Sequence, residues 1–147
     1  MSHVYTKLWT HAIFSTKNGK YLITPPLESK LHNFIHEQLL ELGCPSRIIS
    51  GMPDHIHILA GIRPTQSVSE LVQNVKTESS KWIKEKKFCA VPFAWQEGYG
   101  ALSYSKSHVP DVIRYIQSQE VHHKKETFLD EYRQFLKVFE IEYDEQY

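Results

Sequence analysis

The spacing of apolar residues changes several times along the chain, and each change marks a new element. Residues 4–15 (VYTKLWTHAIFS) crowd β-branched and aromatic side chains together, which predicts a first strand. Pro25-Pro26 opens the next stretch, where Leu27, Leu31, Phe34, Ile35, Leu39 and Leu42 recur at helical spacing until Gly43 stops them. Residues 47–50 and 55–61 read as two strands joined through the turn residues Gly51, Pro53 and Asp54, a hairpin. Ser67-Val-Ser-Glu70 has the form of a capping box, in which hydroxyl and carboxylate satisfy free backbone N–H groups. Val68, Leu71, Val72, Val75, Trp82 and Ile83 then form one apolar stripe on the helix it starts. Residues 95–105 (WQEGYGALSYS) read as a last strand, and a third helix begins near Pro110. A fourth helix carries Phe128, Leu129, Tyr132, Phe135, Leu136 and Phe139 on one side and ends near Glu140.

The predicted order is β-α-β-β-α-β followed by two C-terminal helices. Right-handed crossovers turn that order into an α+β, ferredoxin-like (RRM-like) antiparallel sheet with two helices on one face. The 147 residues suit one domain, expected over residues 1–147, with a C-terminal helix and acidic tail from about residue 126. Such a fold hosts many functions, so the sites must decide the activity.

Composition narrows the field. With 41% hydrophobic and 23% charged residues the chain is globular, and no apolar run is long enough to cross a bilayer. Met1 to Lys7 lacks the apolar core of a secretion signal, so a cytoplasmic location is expected. Cys44 and Cys89 have no metal-type spacing and are expected to be buried free thiols. The formal net charge is zero, but residues 126–147 hold seven acids against Arg133 and Lys137, leaving a basic body ahead of an acidic tail. That distribution permits a phosphate-backbone ligand and equally fits an ordinary solvated surface.

Two short patterns carry chemistry. In Met52-Pro-Asp54-His55-Ile-His57-Ile-Leu59, strand alternation projects His55 and His57 to one face while Ile56 and Ile58 enter the other. Two imidazoles on a rigid strand can hold a divalent cation if other groups complete the shell. By itself an H-x-H strand is a weak motif and reads first as two ordinary polar residues on a half-exposed strand. A histidine-triad nucleotide hydrolase needs a third His where Leu59 stands. Downstream, Tyr115 and Gln119 lie four apart, on one face of the predicted third helix and off the centre of its apolar stripe of Val112, Ile113 and Ile116. A tyrosine hydroxyl, with a reference pKa of about 10, needs help to attack phosphorus, and a metal on the phosphate supplies part of it. The alternative is a half-buried Tyr capping the core beside a solvent-facing Gln.

Taken in order, these residues resemble the HUH single-tyrosine transposases of small bacterial insertion sequences, including the REP-associated tyrosine transposases. The resemblance covers Phe14-Ser-Thr-Lys17, the segment 52–59, Trp95-Gln-Glu-Gly-Tyr-Gly100 and Tyr115-Ile-Gln-Ser-Gln119-Glu-Val-His-His123. It continues through Phe128-Leu-Asp-Glu-Tyr132 and the closing Tyr143-Asp-Glu-Gln-Tyr147. It implies that His55, His57 and Gln119 bind Mg²⁺ or Mn²⁺ and that Tyr115 attacks DNA. The implied product is a 5′-phosphotyrosine with a free 3′-hydroxyl on the other fragment. Asp54 would assist by positioning the metal or a water. The resemblance further implies a homodimer acting on single-stranded DNA with hairpin ends, without a nucleotide cofactor, and with Tyr115 serving its own or its partner's histidines. Lys17, Lys20, Arg63, Lys76, Lys81 and Lys84, with Lys86 and Lys87 beyond, are the candidate DNA contacts; a solvated lysine face is the alternative. One departure stands at Asn18-Gly-Lys-Tyr21, where the family has a more basic stretch.

Three other readings compete. A non-catalytic DNA- or RNA-binding module of the same fold would not require ligands and nucleophile together. A replication initiator or plasmid relaxase would carry further elements. A nucleotide hydrolase using activated water would tolerate loss of Tyr115.

Overall fold

A computed structural model describes residues 3–119 and 127–143. The elements run β1 (Trp9–Ser15), α1 (Pro25–Glu41), β2 (Ser46–Met52), β3 (His55–Gly61), α2 (Val68–Lys86), β4 (Gly100–Ser103), α3 (Val109–Gln117) and α4 (Phe128–Val138). The sheet order is β2-β3-β1-β4 and every neighbouring pair is antiparallel. This is the ferredoxin-like arrangement expected from the β-α-β-β-α-β order, with α3 and α4 added after it.

Both faces of the sheet are covered. Ala12, Phe14, Ile56, Ile58 and Ala60 pack with Leu27, Leu31, Ile35 and Leu39 of α1 and Leu71, Val72, Val75 and Ile83 of α2. On the other face Leu59 packs with Val109, Val112 and Ile116 of α3. Burying side chains of this size stabilises by about 1.5–3 kcal/mol each. Because α3 and α4 close the second face, β3 is buried from His55 to Ala60 instead of alternating between core and solvent. The central strand therefore places its polar residues in a dry interior.

Local chemistry explains most boundaries. Gly43 sits at φ +72, the left-handed conformation that ends α1. Ser67 Oγ accepts from the Glu70 N–H at 3.1 Å, as a helix N-cap does. The α2 C-cap is Lys87, also left-handed. Three boundaries differ from the sequence expectation. β1 begins at Trp9, because Val4 and Tyr5 are 65% and 89% exposed and strand propensity without a packing partner forms no ladder. The last strand shrinks to Gly100–Ser103, since the chain turns at Gly98 (φ +87) and Trp95 makes only an isolated bridge to Thr16. The hairpin turn narrows to Pro53-Asp54, with Gly51 inside β2 opposite Ile56. Cys44 is buried and Cys89 only half-buried, both as free thiols.

Gly51 is fixed by a close approach. A Cβ there would stand 2.3 Å from the His55 carbonyl oxygen and 2.9 Å from Ile56 Cα, both backbone atoms that cannot swing away. Gly51→Ala is expected to destabilise the fold by about 1–3 kcal/mol or more, read as a lower urea midpoint. An unchanged midpoint would show that the hairpin can relax.

A second prediction concerns acid. Burial pushes the His32 imidazole down to about 4, whereas an unfolded His titrates near 6.5. The unfolded chain therefore binds a proton that the folded one does not between those values. The stability is fully present above pH 6.5 and is lost as pH falls toward 4. The thermal midpoint should drop across that window, and His32→Gln should make the drop shallower; an identical slope would exclude His32 as a contributor.

Candidate metal centre and nucleophile

The strand register aims the pair. His55 and His57 lie at the start of β3, opposite Ser15 and Ile13 of β1, and both side chains are wholly buried on the α3 and α4 face. Each ring is held at Nδ1. Asp54, in the hairpin turn, places Oδ1 2.7 Å from His55 Nδ1 and accepts its N–H. His11, from the neighbouring β1, places Nε2 2.7 Å from His57 Nδ1. Burial pushes the His11 imidazole down to about 3, helped by His57 and opposed by Glu131, so His11 is neutral.

With Nδ1 engaged, both Nε2 atoms face one small space. His55 Nε2 is 3.1 Å from Gln119 Oε1, and His57 Nε2 is 2.9 Å from Glu131 Oε1. Glu131 Oε1 is 4.0 Å from His55 Nε2, and Gln119 Nε2 donates to Glu131 Oε2 at 3.4 Å. The donor atoms of His55, His57 and Glu131 all lie within 4.8 Å of one another. An octahedral shell with bonds of about 2.1 Å separates adjacent ligand atoms by roughly 3 Å and opposite ones by roughly 4.2 Å. The donor set and its spacing fit a divalent cation. Two nitrogens with carboxylate and amide oxygens suit Mn²⁺ better than the oxygen-preferring Mg²⁺.

Tyr115 stands beside this group in the same chain. Its ring centroid is 6.2 Å from that of His57, and it is half-buried on α3. The cover over the site is α4. Phe128 stacks on the His55 ring at 4.3 Å, and Phe135 meets Tyr115 edge-on at 5.4 Å. Gly100 faces α4, where a Cβ would come 2.9 Å from the Tyr132 hydroxyl.

A family model described as IS200-like transposase matches residues 4–119. The chain belongs to the IS200-like transposases. It is 25% identical to the ISDra2 transposase TnpA of Deinococcus radiodurans over 84% of this chain and 89% of that relative. Its fold matches the crystal structure of a transposase from Deinococcus radiodurans R1 with a TM-score of 0.63 at 22% identity, over 81% of this chain and 95% of that one. It also matches a REP-associated tyrosine transposase bound to a REP hairpin, with a TM-score of 0.59 at 11% identity, over 85% and 72% of the two chains.

In this IS200-like transposase the expected residues gather unevenly. His55, His57, Gln119, Asp54 and Tyr115 share one site. The expectation that Tyr115 and Gln119 ride one continuous helix is corrected: α3 ends at Gln117 and Ser118 caps it, so Gln119 enters the site from beyond the helix. Glu131, though part of the Phe128-Leu-Asp-Glu-Tyr132 motif, was missed as a member of the site. It counted among the acids of a solvated tail, yet it is 1% exposed. It also lies beyond the stretch that the family model matches. The available signal was its place in α4, where Phe128 and Phe135 flank it at helical spacing on the apolar side. Glu120 to Glu126, which include His122 and His123, and Asp144 to Tyr147 of the closing motif lie outside the described residues.

The basic residues divide between the two ends of the sheet. Lys17 and Lys20 are exposed just past Ser15, the end where His55 starts β3. Lys81, Lys84 and Lys86 are exposed on α2 and Lys87 at its cap, and α2 covers the opposite face of the sheet from the histidines. Arg63 is exposed beyond Gly61, at the far end of β3. Lys76 is turned inward, donating to the carbonyls of Gln96 at 2.8 Å and Gly98 at 2.6 Å.

If Asp54 fixes His55 for a cation, Asp54→Ala should weaken Mn²⁺ binding about 10- to 100-fold. Glu131→Gln should weaken it as well, both read from the free Mn²⁺ signal in electron paramagnetic resonance. Wild-type affinity in either variant would remove that residue from the centre.

Proposed function

We propose that this transposase cuts and rejoins single-stranded DNA through a 5′-phosphotyrosine on Tyr115, with Mg²⁺ or Mn²⁺ held by His55, His57, Gln119 and Glu131. The observation that carries this reading is the convergence of two Nε2 atoms, an amide oxygen and a carboxylate next to the Tyr115 ring of the same chain. When bound, the cation would draw charge from the phosphoryl oxygens and orient the phosphate. Asp54 and His11 hold the imidazoles, so that little reorganisation is left for the reaction itself.

Tyr115 Oη loses its proton and bonds to phosphorus, and the P–O3′ bond breaks. The leaving 3′ oxygen takes up a proton. Another 3′-hydroxyl attacking the phosphotyrosine reverses the exchange, so the bond energy is stored and no nucleotide cofactor is needed.

The partner is DNA with hairpin ends, a reading supported by the hairpin in the REP-associated relative. Lys17 and Lys20 lie at the sheet end nearest the histidines and are assigned to the DNA backbone near the cut. Lys81, Lys84 and Arg63 would hold DNA farther away, whereas Lys76 is assigned to bracing the 96–98 loop. Such contacts make binding salt-dependent. We carry over the family's homodimer and a cytoplasmic location as part of this reading; no helix among the described residues is long and apolar enough to cross a membrane.

One observation favours a second reading, a non-catalytic hairpin-binding module. His55, His57 and Gln119 are 0–1% exposed beneath α4, so hairpin binding elsewhere would not need them. Catalysis requires α4 to move far enough for a phosphate to reach the two rings.

The test is incubation with single-stranded DNA from the flanking genomic sequence and Mn²⁺, followed by denaturing electrophoresis. A covalent protein–DNA band that needs metal is expected. Tyr115→Phe should abolish the band and leave hairpin binding intact. Full cleavage by that variant would sink the nucleophile assignment, and binding with no band in the wild type would favour the second reading.

A further inference from the structure

His11 is a buried histidine that holds the His57 ring and takes no part in bond making in the proposed reaction. It lies between His57 and Tyr104: Nε2 is 2.7 Å from His57 Nδ1, and Nδ1 is 3.1 Å from Tyr104 Oη. His57 in turn reaches Glu131 Oε1 through its Nε2. The result is a row, Glu131–His57–His11–Tyr104, running from the centre to a half-exposed tyrosine.

The direction of this row is fixed by its ends. A carboxylate only accepts, so a neutral His57 facing Glu131 carries its proton on Nε2. Its Nδ1 then accepts from His11 Nε2–H, and His11 Nδ1 accepts from the Tyr104 hydroxyl. A His57 that offers its Nε2 lone pair to a cation must carry its proton on Nδ1 instead. That N–H donates to His11 Nε2, and His11 must now donate from Nδ1 to Tyr104 Oη. His57, His11 and Tyr104 can each donate or accept, so the row from His57 to Tyr104 can reverse while the His57–His11 and His11–Tyr104 contacts are kept and only the bond to Glu131 is given up.

We propose that His11 is a positioning residue whose reversible tautomer, backed by Tyr104, lets His57 alternate between hydrogen-bonding Glu131 and ligating a metal ion. The reversal is balanced. One proton passes from His57 Nε2 to solvent water, the protons between the rings and the phenol each move one place, and one proton enters from water at Tyr104. Net charge in the row is unchanged. The proposal rests on the metal reading given above.

The experiment measures Mn²⁺ binding by electron paramagnetic resonance for wild type, His57→Ala, His11→Phe and His11→Gln, with thermal unfolding as the check on folding. A phenylalanine fills the space but offers His57 Nδ1 neither donor nor acceptor, so affinity should fall about 10- to 100-fold. A glutamine can turn its amide to present oxygen or nitrogen and should restore most of the affinity. Wild-type affinity in His11→Phe overturns the proposal, as does a His11→Gln variant as weak as His11→Phe. If wild type and His57→Ala bind Mn²⁺ alike, the metal reading itself fails and takes this one with it. Should His11→Phe not fold, imidazole ¹⁵N shifts of the wild type decide. The protonated nitrogen of His11 should change from Nε2 to Nδ1 when Mg²⁺ saturates the site, and an unchanged tautomer overturns the proposal.

Discussion

The site depends on β3 being paired along both edges and covered on both faces. Between β2 and β1 its backbone groups are taken up by the sheet, so its direction and register are set before any side chain is considered. A slip of one residue would exchange His55 and His57 for Ile56 and Ile58 and place the polar residues among the leucines of α1. The apolar packing of Ile56, Ile58 and Ala60 against α1 and α2 is thus also what keeps two imidazoles facing α3 and α4. Stability and chemistry lie on opposite faces of one strand.

Burial of so many polar groups demands partners. His11, His55, His57, Gln119 and Glu131 are each at most 1% exposed. An unpartnered polar group in such a place costs several kcal/mol, and a charge much more. The network answers this with bonds from five segments: β1, the hairpin turn, β3, the residue after α3, and α4. A carboxylate is the natural group to close it. Glu131 accepts from His57 and from Gln119 at once, which neither an alcohol nor a second amide would do with the same charge.

Much of this was legible in the sequence. The apolar spacing of α1 and α2, the stop at Gly43 and the cap at Ser67 gave helices near their observed bounds, because local rules govern those positions. The alternation of 55–59 gave the shared face of the histidines. Where tertiary context decides, sequence reading fell short. Val4 and Tyr5 have strand-forming side chains but no neighbour strand to pair with. Residues 95–99 have strand composition, yet Trp95 is drawn aside to donate to Ser79 Oγ at 3.0 Å. Glu131 reads as one acid among seven by composition, and only its place between Phe128 and Phe135 on the apolar side of α4 sets it apart. Lys76 looked like its exposed helix neighbours, and only the loop carbonyls at 96 and 98 separate it from them. His11 was invisible for a related reason: its role arises from an imidazole 46 positions away.

The cover over the histidines sets an energetic condition on any catalysis. Opening α4 must break the His57–Glu131 contact, a charge-assisted hydrogen bond of the class worth about 1.5–3 kcal/mol, and the stacked Phe128–His55 pair, worth about 0.5–1.5 kcal/mol beyond its buried area. Elsewhere on α4, Tyr132 packs at Gly100 and Phe135 meets Tyr115 and His11 edge-on, while Leu129 and Val138 are 43% and 70% exposed. The free energy that phosphate contacts supply must therefore offset these packing contacts together with the hydrogen bonds to Glu131. Glu131 cannot serve both as the cover's anchor on His57 and as a ligand in an open site without moving with the helix or parting from it. Whichever way that competition falls, the cover and the proposed metal shell are not independent, because they share one carboxylate.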